Sequence, residues 1–376
     1  MNDRTMLRWR WLCAGMLALV VCTAQAQPAL RIGQSGGFTG GQAAYAADVR
    51  AGIEAAFAGA NAAGGIGGRR VELVALDDGG KREAVLANTR RLVEEERVLA
   101  LIAYTSGAGT EGSLDYIGAQ RVPLVGPATG NMAIRARHNP LLFHVRAGYD
   151  VEMEKIVGHV VGLGLKPRVA LAYLADVGPA SLNAMQQALE RHRLDAVATV
   201  GLDRNAQDFG PQIAQLHAAR PDLLVFISNA PPIAAIVRGL RQRGWHGQVA
   251  TSSFAGARVV GDLKEHAQGL ILIQVLPQPQ REVLRFDREF HADLRRLAVP
   301  PRPNYTVLEG YVAGRTLVEA LRRAGPGANR ETLAAALSGL GELDFSGYRV
   351  RFNRGNHEGS RYAVLSVVTE SGTVRY

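Results

Sequence analysis

Short apolar runs alternate with stretches of helical apolar spacing along most of this chain. Leu30–Gly33, Val71–Leu76, Leu99–Ala103 and Val122–Val125 read as buried strands, each followed by a helical pattern. KREAVLANTRRLVEEERV, with Ala84, Leu86, Leu92 and Val93 among its apolar positions, predicts an amphipathic helix. A second series begins near Leu142. It predicts strands at Arg168–Ala172, Ala196–Val200, Leu223–Ile227, Gln248–Thr251 and Leu270–Val275. Helices at Glu152–Leu163, Ala180–Arg193, Phe209–Ala219 and Ile233–Arg243 fall between or before them. Strand–helix alternation of this kind predicts doubly wound, parallel-dominated α/β sheets. Beyond the proline break LPQPQ come helices at Arg281–Leu297, Val307–Arg323 and Glu331–Leu340, then a β-rich end from Phe345. Breaks near 146, 276 and 349 divide the chain too unevenly for two simple consecutive domains.

The first strand runs into a glycine-rich loop and a helix: LRIGQSGGFTGGQAAYAADVRAGIEAA. Glycine lets backbone approach a ligand closely, and a helix start presents free N–H groups. Two more small-residue loops, YTSGAGT at 104–110 and GPATGN at 126–131, follow the third and fourth strands. Together the three loops offer an anion cradle with no cationic side chain, suited to a carboxylate. The same stretches also read as plain strand-to-helix connections. Gly33, Gly36, Gly37, Gly40 and Gly41 do not form the dinucleotide spacing GxGxxG.

Composition narrows the classes. Residues 1–26 combine a basic start, an apolar run and AQA before Gln27, the pattern of a cleavable secretory signal peptide. Both cysteines, Cys13 and Cys22, lie there, so the mature chain has no thiol chemistry. Losing Arg4, Arg8, Arg10 and Asp3 with the leader lowers the formal charge from +9 to +7. The basic residues are scattered among acids, which argues for a solvated surface and against nucleic acid. The histidines show no HxxxH or HExxH spacing and there is no GxSxG, so neither a metal site nor a nucleophile elbow is expected. No cofactor is implied.

RIGQSGGFTG, AAGGIGGRRVELVALDDG, VPLVGPATG with FHVRAGYD, and VLEGYVAGRTLVEAL occur in this order. Together they resemble the type I periplasmic binding proteins, closest to the leucine/isoleucine/valine-binding branch that serves ATP-driven importers. The resemblance implies two α/β lobes joined by three crossovers, with a ligand held between them. It places one lobe at 27–146 and 276–348, the other at 147–275 and 349–376. A soluble periplasmic monomer handing its solute to ABC permease subunits is the family expectation.

The resemblance also implies a site. Tyr45 matches the aromatic that covers the ligand, and Ser106 and Gly107 fall at the loop that holds the α-carboxylate. Ala128 matches a backbone acceptor; Gly130 replaces a threonine, with Thr129 adjacent. At the other end the acid that pairs with the ligand's ammonium is replaced by Ser253, beside Phe254, and the second lobe's aromatics by Val177 and Ala230. A buried ammonium with no counter-charge is costly, several kcal/mol in ordinary terms. Glu309 is the first candidate replacement and Asp150 the second, and Tyr311, two residues after Glu309 on the same helix, is a further ligand-contact candidate; an exposed helix acid is the alternative for Glu309. Tyr149 and Tyr305 fit either a cleft wall or a domain boundary. Trp245 reads as a packing residue, and Asp77–Asp78 as loop capping. The expected function is a solute receptor for a carboxylate-bearing molecule, an amino acid by family default. An ammonium-free carboxylate and a sensing role for a membrane partner stay open.

Overall fold

The computed structural model describes residues 28–256 and 258–375; the expected signal peptide and both cysteines lie outside them. Among the described residues the first sheet has five strands, ordered β2-β1-β3-β4-β5. These are β1 (Leu30–Gly36), β2 (Val71–Asp77), β3 (Ala100–Ile102), β4 (Leu124–Val125) and β5 (Leu142–Phe143), all parallel. Helices α1 (Ala43–Ala62), α2 (Arg82–Glu94) and α3 (Gly107–Ala119) connect them. β3, β4 and β5 are wholly buried, as strands covered on both faces must be.

The second sheet, ordered β14-β13-β10-β9-β8-β6-β7, forms the other lobe. Helix α4 (Tyr149–Gly162) leads into β6 (Val169–Leu174), α5 (Gly178–Arg191), β7 (Ala196–Leu202), α6 (Gly210–Ala219) and β8 (Leu223–Ile227). Then follow α7 (Ala230–Gln242), β9 (Gln248–Thr251), α8 (Arg258–Leu263) and β10 (Ile271–Gln274). These strands are parallel, whereas β13 (Val364–Val368) and β14 (Val374–Arg375) add antiparallel at one edge. Trp245 is buried in this lobe with its indole N–H donating to Pro221 O at 2.7 Å.

Between β10 and β13 the chain returns to the first lobe as α9 (Arg285–Leu294), α10 (Tyr305–Ala324), α11 (Arg330–Ser338) and the hairpin β11 (Gly341–Phe345)–β12 (Tyr348–Phe352). Helix α10 crosses α1 almost backbone to backbone. A Cβ on Gly310 would stand 2.0 Å from Val49 O, and one on Gly52 1.9 Å from Val307 O. Those two glycines make the close crossing possible. Among the described residues no helix is long and apolar enough to cross a membrane.

Four expectations shift. β1 runs on to Gly36 because its pairing with β2 continues through Ser35 and Gly36, whose small side chains allow it. β4 starts only at Leu124, since Pro123 has no N–H to give a ladder. The segment after Asn131 forms only a 3₁₀ turn at Ala133–Arg135 instead of the expected helix. There Met132 N turns to Ser181 Oγ on the other lobe, and Asn131 Oδ1 accepts from Ala133 N. The crossing expected at 348/349 falls inside the hairpin. Tyr348 OH donates to Val145 O, and Gly359 N to His144 O at 2.8 Å, so the hairpin stays with the first lobe.

Candidate functional site

Loops at the carboxyl ends of β1, β3 and β4 face the second lobe, the position where open α/β sheets take ligands. The lobes touch directly. Asn229 Nδ2 donates to Gly41 O at 2.8 Å and Asn131 Nδ2 to Val177 O at 3.0 Å. The Tyr45 ring meets Phe254 edge to face, centroids 5.3 Å apart.

The expected carboxylate cradle is occupied by the chain's own side chains. Ser106 Oγ caps its own helix, accepting from Gly109 N at 3.1 Å. A Cβ on Gly107 would lie 2.6 Å from Asn131 Cβ, and one on Gly130 2.5 Å from the Tyr149 ring. Thr129 Oγ1 accepts from Asn131 N, and Tyr45 OH donates to Ala128 O at 3.0 Å. Asp77 and Asp78 cap their own turn, accepting from Gly79 N and Gly80 N at 2.9 Å.

Two candidates do not reach the cleft. Tyr311 follows Glu309 by two residues, which on a helix turns it about 200° away. Its hydroxyl donates to Asp293 at 2.8 Å and accepts from Arg315, against the rings of Phe286 and Phe290. Asp150 points outward toward Arg361, 3.7 Å away. Glu309 itself is buried, 4% exposed, so the exposed-acid alternative does not hold.

Glu309 belongs to a buried charge cluster that sequence reasoning missed. Arg146, fully buried, reaches Glu309 from Nη1 at 3.4 Å and Glu152 from Nη2; the same Nη2 donates to Ser253 Oγ at 2.7 Å. Glu152 also accepts from Ser253 N at 2.8 Å and Ser253 Oγ at 3.1 Å. Glu309 comes from the first lobe, Glu152 and Ser253 from the second, and Arg146 from the first crossing between them. The available signal was a lone arginine inside the apolar FHVRAGYD at an expected crossing.

Burial opposes the Arg146 charge, but Glu309 and Glu152 overcome it and hold its pKa above the ordinary value. Burial also raises both carboxyls; Arg146 pulls each back only in part. Among the described residues Arg146 is the one cation in contact with either carboxyl; Arg135, which also acts on Glu309, is itself paired with Glu358, so the cluster carries a surplus of one negative charge when all are ionised. Glu152 is held by close bonds, whereas the contacts of Glu309, to Arg146 at 3.4 Å and Tyr45 OH at 3.3 Å, are long. Glu309 is therefore the acid with capacity to spare.

Glu309 also lines a cavity of about 600 Å³ between the lobes, with Ser252, Ser253, Gln274, Asn304, Tyr305 and Arg302 among its walls. The Ser252 hydroxyl is buried with no partner among the described residues. A smaller cavity, about 220 Å³, adjoins it through Ala255, Gly256 and Thr306, and holds Asn229, Ala230 and the Tyr45–Phe254 pair.

Comparison with known proteins bears on the family and the fold. The family model described as periplasmic binding protein matches residues 29–373. An amino acid binding protein of Pseudomonas aeruginosa is 24% identical over 237 residues, 61% of this chain; the match spans 63% of that relative, less than two thirds of it. A solved structure from Rhodopirellula baltica SH 1, described as a possible leucine/isoleucine/valine-binding protein, superposes with TM-score 0.89 at 25% identity, covering 95% of this chain and 98% of that one. A substrate-binding periplasmic protein from Ralstonia solanacearum gives 0.84 at 30% identity, covering 92% and 99%. With its two parallel-dominated lobes, the chain belongs to the periplasmic binding protein family.

Proposed function

We propose that this protein is the exported solute receptor of an ATP-driven importer and binds an amine-bearing carboxylate, an amino acid in the broad sense, between its lobes. The observation that carries the reading is the surplus buried carboxyl: Glu309 faces the interlobe cavity with only long contacts of its own. An ammonium from solution supplies the missing charge, in place of the acid that Ser253 replaces. Export to the periplasm is the reading that the leader pattern at 1–26 supports. The lobes on this reading are 28–146 with 276–359, and 147–275 with 360–375. The third crossing then follows the hairpin.

Glu309→Gln is expected to weaken binding of amino acids at least tenfold while leaving the fold intact, read by calorimetry on purified protein. Unchanged affinity would sink the assignment of Glu309. The pH dependence has a definite sign. Burial raises the Glu309 pKa, so the proton is held above the ordinary glutamate range. Only the ionised form pairs with ammonium, so affinity falls on acidification, beginning above that range. In Glu309→Gln this dependence is expected to flatten.

A second reading has its own observation. The Arg146 guanidinium already stands on Ser253 Oγ, an internal cation where a ligand ammonium was expected. On that reading an ammonium-free carboxylate binds and Glu309 stays protonated. Thermal-shift comparison of leucine with its deaminated counterpart separates the two, because a ligand that binds only the folded state raises Tm with affinity.

A further inference from the structure

The cavity beside Glu309 is large for a single aliphatic amino acid. Volumes of roughly 300–1,000 Å³ ordinarily enclose drug-sized ligands, and this one holds about 600 Å³. Two acidic or basic side chains line it, of opposite sign and unequal depth: Glu309, buried, and Arg302, exposed. Arg302 has no ion pair with any described residue. The two sit at opposite ends of the start of α10. Asn304 caps that helix with its side chain, accepting from Thr306 N and Val307 N. Glu309 lies five residues further on, or about 7.5 Å along the axis. Arg302 lies two residues before the cap on non-helical chain. Acid and base are thus separated by on the order of 10 Å of cavity wall.

The wall between them is mixed. Val260, Leu272, Val275 and Val374 supply apolar surface, while Ser252 supplies a hydroxyl that is 1% exposed and unpartnered. A buried hydroxyl without a partner is unfavourable and marks a place where a bound molecule completes the hydrogen bonding.

We propose that this cavity selects an elongated zwitterion, with a terminal ammonium on Glu309 and a terminal carboxylate reaching Arg302 at the rim. A short peptide and an ω-amino acid share that chemistry; a branched-chain amino acid, whose two charges sit on one carbon, does not span the distance. The inference rests on the assignment of Glu309 made above and adds length and a second anchor to it.

The test is a calorimetric series on the mature chain with leucine, γ-aminobutyrate, ε-aminocaproate, ε-aminocaproamide and trialanine. Expected is affinity rising from γ-aminobutyrate to ε-aminocaproate, with at least one long zwitterion tenfold tighter than leucine. Tighter binding of trialanine than ε-aminocaproate assigns a peptide; the reverse assigns an ω-amino acid. Arg302→Ala changes an exposed side chain and is expected to weaken ε-aminocaproate at least fivefold while leaving ε-aminocaproamide within twofold. Leucine binding as tightly as the long probes overturns the inference, as does equal weakening of acid and amide by Arg302→Ala. Long zwitterions that depend on Glu309 but bind no tighter than leucine and are indifferent to Arg302→Ala remove this inference alone. No binding by any amine removes the Glu309 assignment as well.

Discussion

Arg146→Met lowers stability by about 3–5 kcal/mol at neutral pH, the range for removing one partner from a buried ion pair. The substitution roughly keeps the volume but leaves Glu152 and Glu309 facing each other across the crossing with no cation among the described residues in contact with either. Both are buried, and burial already pushes both carboxyls up. Without Arg146 they rise further, so the folded variant takes up protons that the unfolded chain does not hold. Stability relative to the unvaried protein therefore recovers as pH falls toward the ordinary carboxylate range and is lost as pH rises above it. Denaturant unfolding at a series of pH values measures this directly. A deficit that stays constant with pH would show that Arg146 acts by packing and not by charge.

Gly310→Ala is expected to cost about 3 kcal/mol, the upper part of the range for overpacking. An added methyl would stand 2.0 Å from Val49 O, which is backbone and has no rotamer to yield. The two helices must move apart, and Gly314 against Ala56 one turn further on moves with them. For a chain of this size, with about 2.1 cal/mol/K of unfolding entropy per residue, the Tm should fall by roughly 4 °C. Glu309 sits one residue before Gly310, so the same shift displaces it. Any ligand that uses Glu309 should weaken in the variant even after correction for stability. Thermal unfolding and calorimetry together check both effects, and a Tm within one or two degrees of the original would contradict the crossing as described.

The strands and most helices were legible because their apolar periodicities are clean and each buried strand is short. Leu223–Ile227 and Gln248–Thr251 fall where expected. The departures have local causes, such as the missing N–H of Pro123. The site was legible only where one residue's chemistry stood out. Glu309 was singled out because an acid was missing elsewhere. Arg146 and Glu152 were missed because three charges from two lobes and a crossing meet only in three dimensions. Each alone looks like an ordinary polar residue at a strand end or on a helix. Tyr311 was misplaced by counting positions without turning the helix.

Three hydrogen bonds join the lobes directly, protein group to protein group: Asn229 to Gly41, Asn131 to Val177, Met132 to Ser181. Each such bond lowers the free energy of the empty shut form relative to the empty gaping one. A solute then spends less of its interaction on bringing the halves together, and its apparent affinity rises accordingly. Because these bonds need no solute, they favour the same outline with or without one, as any partner that reads outline alone would meet it. Fidelity in telling full from empty then depends on how far these contacts are outweighed at rest, so loosening Asn229 trades sensitivity for a quieter background.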